Sequence, residues 1–170
     1  MLAYRITASL ATLLLGLMAG FFFAFSIDVA PAMVSLSASS YIETQQWINR
    51  VVRNLGFGGV YFGSVISAFV PAVLALRASQ RRLALAWLSL ALVYFVAVFW
   101  VTRSINVPIN DALAVWNPHA PPANWAALRD RWNQANLWRT LASTTCFMGA
   151  IVLLALPRPC AQNAGRKQRT

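Results

Sequence analysis

Four stretches of this 170-residue chain run without Asp, Glu, Lys, Arg or His for about the 20 residues that a helix needs to cross the hydrocarbon core of a bilayer. They lie between Arg5 and Asp28, Arg53 and Arg77, Arg82 and Arg103, and Arg139 and Arg158. A charge at the centre of such a segment costs roughly 2.5–3.5 kcal/mol on the insertion scale, so these gaps in the charge pattern are what lipid requires. Lipid also leaves no partner for an unpaired backbone group, and the segments must therefore be helices. The expected fold is all-α: a four-helix transmembrane bundle with short extramembrane helices in its two long loops. The spans are expected at about 6–27, 54–76, 83–102 and 138–156. Residues 1–160 would form one integral membrane domain and 161–170 a basic, disordered tail.

Composition agrees. Hydrophobic residues make up 59% of the chain and charged residues 11%, less than half the roughly 25% of soluble domains. The net charge of +10 comes from 14 cations against four acids. These cations flank the apolar runs and are not interleaved with stackable aromatics on a polar face. That pattern suits lipid headgroups and excludes a nucleic-acid partner. Arg5, the Arg77/Arg81/Arg82 turn and the tail pack eight cations into short segments on one side. The long loops carry the other six more thinly, together with all four acids (Asp28, Glu43, Asp111 and Asp130). The positive-inside rule then puts both termini in the cytoplasm, the long loops on the opposite side, and the protein in a plasma (inner) membrane as a multi-pass chain. The first apolar run exceeds a leader's and lacks a small-x-small cleavage site, so it reads as a span.

Small residues recur at four-residue spacing in three spans: Gly16-Leu-Met-Ala-Gly20, Gly59-Val-Tyr-Phe-Gly63, and Ala142, Cys146 and Ala150. Such spacing lets helix backbones approach within one bundle. Cys146 reads as one of these packing residues, and the two cysteines form no disulfide framework. The oligomeric state is not legible.

The first long loop opens on Asp28-Val-Ala-Pro31, continues through Ser35–Ser40 and ends in a helix over 41–53. Ile42, Trp47, Ile48, Val51 and Val52 would share its apolar face. In the second, Arg103-Ser-Ile-Asn106-Val-Pro108-Ile-Asn110-Asp111, Pro108 is expected to weaken the helix. Asn110 or Asp111 would cap a short helix ending near Trp116. Asn124 would cap the next helix, which runs unbroken into the fourth span. That helix sets Trp125, Leu128, Trp132, Ala135 or Asn136, and Arg139 on one stripe.

Chemistry is tightly bounded. His119 is the only histidine and sits in a Pro-rich loop, so there is no ligand set for haem, copper or zinc and no Ser-His or Cys-His pair. The spans hold no buried carboxylate of the kind an ion-coupled transporter keeps at its midplane. What remains is a polar rim on the long-loop side: Asp28, Asn106, Asn110, Asp111, Asn136 and Arg139. Two readings of it stand side by side. One is helix capping and headgroup contact. The other is a pocket at the bundle mouth, walled by Trp47, Trp132, Phe21–Phe23, Tyr61 and Trp100. A carboxylate near low dielectric there would work as a base, and Asn and Arg would stabilise an anion.

Four segments resemble the anthrone oxygenase-like family of small four-span membrane proteins. They are Gly16-Leu-Met-Ala-Gly-Phe-Phe-Phe-Ala-Phe25 with Pro31 following; Gln46-Trp-Ile-Asn-Arg50 before Asn54; Asn106-Val-Pro-Ile-Asn110-Asp-Ala-Leu113; and Trp132-Asn-Gln-Ala-Asn136-Leu-Trp-Arg139-Thr140. The Asn-x-Pro-x-Asn segment with the later Asn-x-x-Arg is the most specific part. The resemblance implies a membrane oxygenase that turns an anthrone-like ketone into a quinone with dioxygen and no added cofactor. In that setting Asp111, and after it Asp28, is the expected base. Arg139, Asn106, Asn110 and Asn136 would hold the ring oxygens, and Trp132 and Trp47 would contact the rings. The competing expectation is a non-catalytic module in the bilayer that binds lipid or a hydrophobic small molecule, or serves as a small subunit of a membrane complex.

Overall fold

The computed structural model describes residues 2–156. The expected basic tail over 161–170 lies outside the described residues. Five helices account for most of the rest: α1 (Leu2–Val34), α2 (Ala38–Val52), α3 (Leu55–Arg77), α4 (Arg81–Leu113) and α5 (Trp125–Ala155). All but α2 are long and apolar enough to cross a membrane. The protein is an all-α, multi-pass membrane protein. The first and third charge-free runs sit inside longer helices, so the long-loop ends of α1 and α4 continue past the point where polar sequence begins.

Three wide, π-helical turns make those extensions possible: Phe25–Val29 in α1, and Phe95–Trp100 and Thr102–Asn106 in α4. Pro108, expected to weaken the helix beyond the third span, lies within α4, which runs on to Leu113. The π turn ahead of it lets Val107 N–H reach Thr102 O, five residues back. The helix thus re-registers just before the residue that lacks a donor. Similarly, Asp28-Val-Ala-Pro31 is not loop but the continuation of α1, with Pro31 in the first turn after a π segment, where its missing N–H is tolerated.

In the bundle α1 packs against α5 and α3, and α4 against α3 and α5. Small residues set the closeness of two of these contacts. A Cβ on Gly16 would stand 2.8 Å from the Phe147 ring of α5, and one on Gly63 would stand 3.3 Å from Leu14 of α1. Gly20 and Gly59, the other halves of the two motifs, meet nothing within 4 Å. Cys146 and Ala150 are fully buried in the main core with Leu15, Trp87 and Tyr94. Trp87 Nε1 donates to the Tyr4 hydroxyl at 2.7 Å, which satisfies the indole inside that core.

The helix α2 lies across the long-loop end. Ser37 caps it by accepting from Ser40 N–H, and Gln46 Nε2 pins it to α4 through Leu113 O and Trp116 O, both at 3.0 Å. Its rotation differs from the apolar-face expectation. Tyr41, Ile42, Gln45 and Asn49 are buried, while Trp47 and Val51 are exposed. Ile42 alone anchors the face in full. The polar residues at 45 and 49 turn inward, where Gln45 Nε2 faces Asn49 Oδ1 at 3.5 Å.

Candidate functional site

Between α2 and the long-loop ends of the bundle lies a cavity of about 390 Å³, within the range of small-molecule sites. Phe21, Phe22 and Phe25 line it from α1, Phe57, Tyr61 and Phe62 from α3, and Trp132 from α5. The rings also pack on one another. Phe21 meets Phe57 at 5.0 Å between centroids, Phe57 stacks on Tyr61 at 5.8 Å, and Phe25 meets Trp132 at 5.0 Å. Gly58 leaves room on the α3 wall, since a Cβ there would meet nothing within 4 Å. Exposed Arg53 and Asn54 mark where the cavity reaches the surface.

Among the described residues Arg139 is the one cation buried in this wall, only 5% exposed. Its partners are all neutral. Nη1 donates to Thr102 Oγ1 at 3.1 Å, and Nη2 donates to Asn136 Oδ1 at 2.8 Å. The guanidinium lies 4.6 Å from the centre of the Phe22 ring and 5.4 Å from that of Trp132. Each such cation–π contact is worth about 0.5–2 kcal/mol, more when desolvated. Its Nε–H has no acceptor. A buried charge held without an opposite charge is costly, so an anionic or strongly electron-rich oxygen is the complement this wall lacks.

A network of neutral groups fixes the cation. Asn136 Nδ2 donates to Ser26 Oγ at 2.7 Å, and Ser26 in turn pairs with Thr140 Oγ1 at 2.8 Å. Thr140 also donates to Phe22 O of α1. The π turn at 25–29 supplies Ser26 and Phe25, and the one at 102–106 supplies Thr102 and Asn106. Both widened turns therefore feed the site, as π bulges often do. Trp132 is held by a 2.7 Å bond from Nε1 to Asn110 Oδ1, and Asn106 Nδ2 donates to Trp132 O at 3.3 Å.

Of the residues expected at the site, Asn106, Asn110, Trp132, Asn136 and Arg139 converge on this cavity. Asp28, Asp111 and Trp47 do not line it. The π turn swings Asp28 to the outer face of α1, where it is exposed. Asp111 is exposed and bonded to Arg53 at 3.1 Å. Trp47 is 61% exposed beneath the Arg50 guanidinium. Phe23 and Trp100, expected as walls, are also outside. Among the described residues no carboxylate lines the cavity. Gln45, Asn49, Phe57 and Thr102 do, and none of them was singled out from sequence. Their signal was positional. Gln45 and Asn49 are four apart on one helix face, and Thr102, Asn106 and Asn110 continue one another at the same spacing.

A protein-family model described as Anthrone oxygenase matches residues 55–149, more than half the chain. The matched segment carries the α3, α4 and α5 walls of the cavity, including Tyr61, Asn106, Trp132, Asn136 and Arg139. No curated protein and no solved structure matches the chain.

Proposed function

The chain belongs to the anthrone oxygenase family, and from that premise we propose that it is a membrane oxygenase that oxidises a polycyclic aromatic or other hydrophobic small molecule with dioxygen and no added cofactor. The observation that carries this reading is Arg139: a buried cation with only neutral partners, set in the wall of an aromatic cavity. An activated ring CH₂ conjugated through the fused rings with the carbonyl opposite it loses a proton and leaves an anion whose charge rests on oxygen. That oxygen is the complement of the Arg139 guanidinium, which lowers the cost of forming the anion in a low-dielectric site.

The carbon of this anion is electron-rich enough to react with dioxygen directly. It adds O₂, the peroxide takes up a proton, and the hydroperoxide loses water to give the ketone. The net change is CH₂ + O₂ to C=O + H₂O: the carbon is oxidised and dioxygen reduced. Trp132 and the phenylalanines hold the ring plane, and Asn136 and Thr102 hold the cation. The proton leaves by the mouth beside Arg53. Asp111, bonded to Arg53 outside the cavity, takes it only through solvent, and Asp28 faces away.

In this reading the site opens on the long-loop side, opposite cytoplasmic termini, in a plasma membrane. Purified protein in detergent should consume oxygen when given anthrone and form anthraquinone one-for-one, followed by absorbance. Arg139→Met should abolish most of that turnover. Tight binding of the anthrone with no oxygen uptake above the uncatalysed rate would sink the oxygenase and leave a module that binds hydrophobic ligands.

A further inference from the structure

Away from Arg139, two more buried polar atoms at the same cavity lack partners, and they are of opposite kind. Asn106 is 1% exposed and its Oδ1 accepts nothing. Its amide orientation is fixed by chemistry: the other atom faces the Trp132 carbonyl, which only a donor satisfies, so the orphan is the oxygen. Asn49 is 7% exposed and its Nδ2 donates to nothing. Its Oδ1 faces Gln45 Nε2 at 3.5 Å in this structure, and the atom left over is the donor. Both side chains line the cavity, one from α2 and one from the π turn of α4.

Left unmade, each such bond costs a buried group its full desolvation penalty, and native proteins keep few of these. The pair is one donor and one acceptor. A carbonyl or an anion satisfies the donor alone, whereas a hydroxyl both donates and accepts. We propose that Asn49 and Asn106 form a second polar subsite, distinct from Arg139, that selects ligands carrying a neutral hydroxyl on the aromatic ring. This rests on reading the cavity as a ligand site, and it divides the labour there: Arg139 takes the oxygen that becomes charged, while Asn106 and Asn49 take one that stays protonated. Asn106 is then a specificity-determining residue and Asn49 its partner.

Equilibrium binding to the full chain in detergent, read by quenching of tryptophan fluorescence, tests this without turnover. The probes are β-naphthol, its methyl ether and β-naphthoate. Wild type should prefer the naphthol over the ether by on the order of three- to ten-fold, the worth of one neutral hydrogen bond. Asn106→Leu and Asn49→Ala should each bring that ratio towards one while leaving the ether's affinity within about two-fold. Asn49 makes only one long hydrogen bond, so Asn49→Ala reads out even if Asn106→Leu fails to fold. A naphthol preference that persists in both variants, or in Asn49→Ala alone when only that one folds, overturns the proposal. So does its absence from wild type. Arg139→Met should instead weaken β-naphthoate and keep the naphthol preference. If naphthoate binding ignores Arg139 while the asparagine variants behave as stated, the anion-stabilising role fails and the hydroxyl subsite stands.

Discussion

Arg139 Nη2 donates to Asn136 Oδ1 at 2.8 Å, one turn back on the same helix, and Asn136 Nδ2 donates onward to Ser26 Oγ of α1. The cation of the site is thus oriented by an amide tied to a second helix, and among the described residues no carboxylate shares its charge. An amide fixes position without neutralising. The positive charge stays available to a ligand, at a cost in stability that the fold carries elsewhere. Replacing Arg139 with Met should therefore separate function from folding. Anthrone turnover should fall by about 100- to 1,000-fold, the usual loss on removing an anion-stabilising donor. The detergent-solubilised melting temperature should hold or rise, because removing a buried unpaired charge relieves desolvation. Arg139→Lys should recover only part of the activity, since an ammonium cannot reach both Thr102 and Asn136 as a fork. A marked fall in melting temperature for Arg139→Met would show that the cation serves the fold instead.

The two carboxylates nearest the sequence motif should be dispensable. Asp111 and Arg53 form an ion pair with side chains 61% and 60% exposed, a setting worth at most about 1 kcal/mol. Asp28 faces outward from α1. Asp111→Asn and Asp28→Asn should each keep anthrone turnover within about two- to three-fold of wild type, with near-unchanged melting, as exposed substitutions do. A loss of a hundred-fold in either would restore that residue as the base.

How far the sequence carried depends on which physical signal each residue obeys. The four spans were legible because lipid forbids charge, and the gaps between Arg5 and Asp28 or Arg82 and Arg103 are visible one residue at a time. Asn136 and Arg139 were legible for a related reason: they are polar on a stripe that Trp132 marks as buried. Asp28 reads as the first residue of a loop at a helix end, whereas α1 runs on through a π turn and leaves it exposed. One π turn shifts the register of everything beyond it, and nothing in Phe25-Ser-Ile-Asp-Val29 announces one. The rotation of α2 failed differently. Periodicity assigns apolar residues such as Trp47 inward, whereas it is Gln45 and Asn49 that line the cavity, facing one another.

The seal that α2 makes over the cavity should loosen in alkali. Burial pushes the Tyr41 phenol up from its ordinary 10 to about 12, with Arg129 drawing it down and Asp130 raising it. The folded state favours the neutral phenol, so this contribution is fully present below pH 10 and is lost as pH climbs through 12. Tyr41→Phe cannot ionise there and should show a flatter decline of melting temperature, and of affinity for the non-ionising naphthyl methyl ether, across that window. The same slope in both proteins would show that α2 is not what alkali releases.

Cavity volume gives the last test, because two glycines on neighbouring helices should respond oppositely to a side chain. Gly58 lines the cavity, and a Cβ built there meets nothing within 4 Å. Gly16 lies in the α1–α5 contact, where a Cβ would come within 2.8 Å of the Phe147 ring. Gly58→Leu should fold normally, since its backbone is helical and its added atoms enter empty space. It should bind neither anthrone nor β-naphthol well, with affinity down by about ten-fold or more as the ligand's volume is taken. Gly16→Ala should do the reverse. The Phe147 ring must shift to admit the methyl, which costs about 1–3 kcal/mol of stability, while the cavity and its ligand affinity stay intact in the folded fraction. Thermal unfolding and fluorescence quenching on both variants separate the effects. Full anthrone turnover by Gly58→Leu would mean that the substrate lies elsewhere than in this cavity.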